Sequence, residues 1–99
     1  MVLEHALLHV RPGQSEAFQA AMREARPLIE ASPGFRSIEI RPAAEEPDLF
    51  LLLVGWDDIA RHRDGFRGSD RYKAWSDILH RFYEPMPSIT YFGASLFDA

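Results

Sequence analysis

The sequence predicts an α+β fold of the ferredoxin-like type: β-α-β-β-α-α-β, a four-stranded antiparallel sheet with its helices on one face. Three observations lead there. Hydrophobic periodicity switches between strand and helix spacing in that order along the chain. The first and third strand segments are apolar on both faces, as the two central strands of a covered sheet must be. The chain has 99 residues, 46% hydrophobic and 26% charged, which suits a single small packed domain over residues 1–99.

The elements follow in order. Val2 to Val10 is β-branched and leucine-rich and stops at Arg11-Pro12-Gly13, a strand ended by a turn. In Gln14 to Ala31, Phe18, Met22, Ala25 and Ile29 fall on one helical face. Ser15 is the expected N-cap, and Pro27, which cannot bond the Arg23 carbonyl, is expected to kink or split this helix. Phe35 to Arg41 alternates as a half-buried strand, and Pro42 to Pro47 is an acidic turn. Asp48 to Trp56 is apolar at nearly every position and should be central. A short helix over Asp57 to Asp64 is capped by Asp57 or Asp58, with Gly65 expected in the left-handed position after it. Ser69 caps a longer helix to about Arg81, whose inner stripe is Tyr72, Trp75 or Ser76, Leu79 and Phe82 or Tyr83. Glu84-Pro85-Met86-Pro87 stops it, and Ile89 to Phe97 is the expected last strand. Both helical segments lie on one sheet face. The other face carries leucine, histidine and aromatic residues with no helix to cover them, which predicts a homodimer through the open face.

Composition excludes several functions. There is no cysteine, hence no disulfide scaffold, zinc-thiolate site or thiol nucleophile. Eleven basic residues against fifteen acidic give a net charge of −4, which disfavours a nucleic-acid partner. The longest apolar run, Leu49 to Gly55, is far short of the ~20 residues of a membrane span. Glu4 and His5 interrupt any apolar leader, so a cytoplasmic protein without a membrane partner is expected. No dinucleotide, P-loop, nucleophile-elbow or His-Glu-x-x-His motif occurs, so no metal or cofactor is expected.

Four stretches carry a family resemblance: His9-Val10-Arg11-Pro12-Gly13-Gln14; Ala31-Ser32-Pro33-Gly34-Phe35; Leu53-Val54-Gly55-Trp56-Asp57-Asp58; and Phe66-Arg67-Gly68-Ser69-Asp70-Arg71-Tyr72 with Trp75 and the run His80 to Pro85. In this order they resemble the antibiotic biosynthesis monooxygenase superfamily. The resemblance implies a dimeric α+β barrel, two sheets face to face, with a pocket between each sheet and its helices. It also implies, for some members, oxidation of phenols, quinols or polyketide-like aromatics by molecular oxygen without flavin or metal. Haem-degrading members carry Asn, Trp and His where this chain has Ala6, Gly65 and Ser76, so that activity is not expected. A catalytic His of quinol-oxidising members falls at Gly65, and an Asn of polyketide-oxidising members at Leu52. Only Trp56 and the polar aromatic six residues later, His62, line up.

Cofactor-free oxygenation asks the protein to exclude water, orient a ring and remove one proton, after which the substrate supplies the electrons. A histidine suits the proton step. His62 is the first candidate base, with a surface histidine near a helix end as the plainer reading. His5 is the second; it and His9 lie about 13 Å apart on a strand, too far to share a metal ion. Trp56 is a candidate pocket wall, Tyr72 a hydrogen-bond donor to a phenolate, and His80 a further substrate contact or a helix-end charge. Arg61, Arg63, Arg67, Arg71 and Lys73 make residues 61–73 locally basic, either a solvated face or an attraction for acidic substrates. The expected function is thus a cofactor-independent monooxygenase. Two alternatives stay open: a non-catalytic barrel holding a small hydrophobic ligand, and an isomerase or lyase working by proton transfer.

Overall fold

In the computed structural model, which describes residues 1–97, four strands form one antiparallel sheet in the order β2-β3-β1-β4. They are β1 (Val2–His9), β2 (Phe35–Pro42), β3 (Leu49–Trp56) and β4 (Thr90–Phe92). The two helices are α1 (Ser15–Glu30) and α2 (Asp70–Leu79). The assignment of one domain to residues 1–99 includes Asp98 and Ala99, which lie outside the described residues. The two strands apolar on both faces are the central pair, in register from Val2 opposite Trp56 to His9 opposite Leu49. This is the ferredoxin-like arrangement the sequence predicts.

The sheet has two unlike faces. Ala6, Leu8, Phe50, Leu52, Val54 and Trp56 point at the helices and are buried in one core with Phe18, Ala25, Ile29 and Leu79. Period-two alternation then sends Leu3, His5, Leu7, Leu51, Leu53 and Phe92 to the other face, which no helix of the described residues covers. There Leu7 is 43% and Phe92 50% exposed. No helix of the described residues is long and apolar enough to cross a membrane.

Local expectations need five corrections. First, α1 is one unbroken helix through Pro27: only the bond to Arg23 is lost, and Ala31 N–H donates to the Pro27 carbonyl at 3.2 Å, so the ladder resumes. Second, Gln14 occupies the N-cap with no side-chain bond, while the Ser15 hydroxyl donates to Asp48 Oδ1 (2.8 Å) and ties the helix start to the β2–β3 turn. Third, the short helix after Trp56 widens into a π-helical turn, Arg61–Phe66, and Gly65 lies inside it without a positive φ. Asp58, not Asp57, accepts at its start, from Arg61 N–H (3.0 Å), because Asp57 is paired with Arg36. The left-handed glycines are Gly13 and Gly34; at Gly34 (φ +86°) a side chain would also run into Arg61. Fourth, α2 ends at Leu79 and tightens into a 3₁₀ turn, His80–Phe82. Fifth, the last strand is only Thr90–Phe92, not Ile89 to Phe97: its pairing with β1 ends at Phe92 opposite Leu3, two residues from the start of the chain, so an extension in the same register would find nothing of β1 opposite Ser95 to Phe97.

Ser69 does cap α2, accepting from Tyr72 N–H at 3.3 Å and donating to the Phe66 carbonyl at 2.6 Å. This clasp fixes the π-helical turn against α2 and orients the residues described next.

Candidate functional site

One carboxyl group stands inside the core. Glu4 occupies the helix-facing side of β1, between Val2 and Ala6, and is only 4% exposed. A charge there is costly unless it is paired or neutralised. Glu4 does both. The Trp56 indole N–H donates to Glu4 Oε1 at 3.0 Å, and His62 Nε2 lies 3.3 Å from the same oxygen. Burial pushes the Glu4 carboxyl from its ordinary 4.5 up to about 7, against the smaller downward pulls of the Trp56 hydrogen bond and of Arg67.

His62 is also 4% exposed. Burial lowers its pKa from 6.5 to about 4, and the charges of Arg67 and Arg63 push the same way. The Tyr91 hydroxyl lies 2.6 Å from Nδ1. When that O–H donates to Nδ1, the hydrogen of the neutral ring sits on Nε2, beside Glu4. The ring stacks on Trp56 with centroids 5.4 Å apart and meets Tyr91 edge-on at 5.7 Å. Near neutral pH the pair therefore carries at most one proton, held by the carboxyl rather than the imidazole.

Glu4 and His62 border a cavity of about 90 Å³ between β1, α2 and the segment Met86–Ile89. Its other polar groups are Arg67, Tyr72, His80 and Tyr83; Phe66 and Trp75 supply apolar wall. Glu4 Oε2 makes no hydrogen bond among the described residues, so it is the carboxyl oxygen free for a molecule in the cavity. Burial raises the Tyr83 hydroxyl pKa and lowers that of His80, so both groups are neutral at pH 7. A larger groove of about 220 Å³ lies between α1 and β2, but its charged groups, Arg23 and Arg26, are exposed and no buried polar side chain borders it. The smaller cavity is the one bordered by buried titratable side chains, Glu4 and His62, and is the candidate site. Among the described residues no group of three or more His, Cys, Asp or Glu could hold a metal ion.

Of the residues singled out in the sequence, the fold brings His62, Tyr72 and His80 to this cavity. Trp56 stands behind it: fully buried, it touches Glu4 and His62 rather than lining the space. His5 is elsewhere. It lies on the open sheet face against Phe92, with ring centroids 5.6 Å apart, so the sheet separates it from Glu4 and His62. Sequence reasoning missed Glu4, Tyr91 and the position of Arg67. For Glu4 a signal existed: one carboxylate in the otherwise apolar series Val2, Ala6, Leu8, Val10. Tyr91 gave none, since nothing local shows which residues of a short edge strand meet a residue 29 positions away.

Comparison with known proteins agrees with this geometry at the level of family. The sequence profile of the antibiotic biosynthesis monooxygenase family matches residues 1–77. The uncharacterized protein YczJ of Bacillus subtilis is 40% identical over 92 residues, spanning 93% of this chain and 97% of its own. A Bordetella bronchiseptica crystal structure named for the same family superposes with a TM-score of 0.91 at 25% identity, covering 96% of this chain and 97% of that one. SnoaB, a cofactor-independent oxygenase from Streptomyces nogalater, superposes with a TM-score of 0.83 over 98% of this chain and 97% of its own; at 14% identity the likeness is one of fold.

Proposed function

We propose, given that this chain belongs to the antibiotic biosynthesis monooxygenase family, that it is a cytoplasmic, homodimeric, cofactor-independent monooxygenase of a small phenol or quinol. The observation that carries this reading is the Glu4–His62 pair, a buried carboxyl whose pKa is raised to about 7 beside a neutral imidazole, at the edge of the cavity. About 90 Å³ is small against ordinary ligand pockets of about 300 Å³ and more, which favours a single ring over a multi-ring polyketide.

The proposed reaction balances without an added reductant: phenol and dioxygen give quinone and water. The substrate ring packs against Phe66 and Trp75. Its hydroxyl proton passes to Glu4 Oε2, with His62 beside the carboxyl and Trp56 fixing it. The phenolate gives up electrons to dioxygen and a ring C–O bond forms. The proton held by Glu4 returns to the peroxide oxygen. Loss of the ring C–H proton breaks the O–O bond, leaving the quinone and releasing the second oxygen atom as water. His62 supports the base rather than facing substrate alone, because Nδ1 is engaged by Tyr91 and Nε2 lies at Glu4.

The same pair would serve a proton-transfer isomerase or lyase. The two differ in one requirement, and oxygen uptake separates them. With a panel of single-ring phenols and quinols, uptake in air above the uncatalysed rate and no product under nitrogen are expected. Product under nitrogen, or no uptake across the panel, contradicts the monooxygenase. His62→Ala is expected to lower turnover as well; full turnover in that variant removes His62 from the base.

The homodimer reading rests on the open sheet face, where Leu7, Leu51, Leu53 and Phe92 form an apolar surface that no helix of the described residues covers.

A further inference from the structure

Among the residues bordering the cavity, one carries a guanidinium. Arg67 follows the π-helical turn, its backbone N–H donating to the His62 carbonyl at 3.0 Å. Its guanidinium stands 5.9 Å from the centroid of the Tyr72 ring, and among the described residues it makes no ion pair and no side-chain hydrogen bond. It borders the cavity together with Glu4, Tyr72 and His80, and its charge reaches Glu4, His62 and His80 alike. An exposed, unpaired guanidinium at the mouth of a cavity that also holds a buried carboxyl makes a two-part receptor. One part takes a proton; the other takes the negative oxygen that the proton leaves behind.

We infer that Arg67 is the receptor for the substrate's ionised oxygen, so that the cavity binds a phenol as its phenolate, O⁻ against the Arg67 guanidinium and the proton on Glu4. The inference rests on the cavity reading above and narrows it. It selects acidic phenols, those whose ring carries an electron-withdrawing group. The exchange is a proton transfer alone: the phenol O–H breaks, the proton goes to Glu4 where the carboxyl is ionised and to water where it already holds one, and no electron moves. Tyr72, under the guanidinium, is placed to donate its hydroxyl to the same oxygen.

The test needs neither oxygen nor turnover. The probe is para-nitrophenol, whose ionised form alone absorbs strongly in the visible. It is titrated into the wild-type protein, Arg67→Gln and Arg67→Lys at a pH below the probe's own pKa, with para-nitroanisole as a neutral shape control. The wild type is expected to bind the probe ionised, its apparent pKa lowered by about one unit or more. Arg67→Gln is expected to bind it about ten- to a hundredfold more weakly and neutral, the loss typical of a charge-assisted hydrogen bond. Arg67→Lys should restore ionisation, and the anisole should not tell the three proteins apart. Equal binding and ionisation by Arg67→Gln, a neutral bound probe in the wild type, or no binding by any of them overturns the inference. A merely structural role for Arg67 on the Tyr72 ring would move the melting temperature and leave the probe's ionisation unchanged. If the wild type ionises the probe but takes up no oxygen with any substrate, this inference stands and the monooxygenase reading falls. Oxygen uptake at the wild-type rate in Arg67→Gln does the reverse.

Discussion

Glu4 and His62 shift in opposite directions, and the signs have a consequence for stability. The carboxyl rises from 4.5 to about 7 and the imidazole falls from 6.5 to about 4. Between pH 4.5 and 6.5 the unfolded chain holds one proton of the pair, on His62. The folded chain also holds one, on Glu4. Proton numbers match, so the pair adds no pH dependence in that window. Glu4→Gln removes half of the balance. Arg67 and Arg63, together with burial, still hold His62 neutral when folded, so only the unfolded state binds a proton, and stability rises with pH through the window. Urea midpoints of wild type and variant at the two ends of the window check this; parallel slopes would contradict it. A second residue-scale prediction concerns Trp56. Its N–H favours the ionised carboxyl, so Trp56→Phe, which keeps a packed ring, raises the Glu4 pKa further. The pH–rate midpoint should move to higher pH by about one unit or less, the size of one hydrogen bond; an unmoved midpoint would show that the indole N–H does not tune the base.

At the scale of elements, the π-helical turn and α2 act as one device. Ser69 caps α2 and bonds the last residue of the turn, and that clasp sets Arg67 and Tyr72 at the cavity. Ser69→Ala should cost about 1 kcal/mol, a drop of about 4–8 °C in Tm for a chain of this size, and should raise KM more than it lowers kcat. An unchanged Tm would show that the clasp does not stabilise the fold. How much of this was legible follows from the range of each interaction. The central strands, the Ser69 cap and both amphipathic helices announce themselves within a few residues. The widening after Ala60 does not, because Gly65 reads as a helix stop until the packing of Phe66 and His62 carries the turn past it. The candidate site was half legible: His62 and Tyr72 are singled out by type and do border the cavity, whereas Glu4, the proposed base, sits 52 positions before Trp56 and was visible only as a polar interruption of an apolar face.

For the whole molecule, the described residues leave one face of the sheet uncovered, apolar along β3 and carrying Leu3 and Leu7 in alternation with His5 and His9 on β1. A second copy would bury it against an identical surface, with Leu7 and its cross-strand neighbour Leu51 near the middle. Light scattering is expected to give twice the chain mass of 11.3 kDa. Leu7→Glu should give monomers, since the substitution sets like charges together across a symmetric contact. A monomeric wild type, or a Leu7→Glu variant that stays dimeric, would contradict this face as the interface.

The account as a whole turns on Glu4 as the proton acceptor of the cavity. The most direct measurement is kcat/KM for oxygen uptake against pH, from about 5 to about 9, for the wild type and Glu4→Gln on the same phenol. The wild type should rise tenfold per pH unit to a plateau with a midpoint near 7, where the buried carboxyl ionises. Glu4→Gln should be about 10²- to 10⁴-fold slower and lack that rise. A variant as fast as the wild type, with the same profile, would show that the proton leaves by another route.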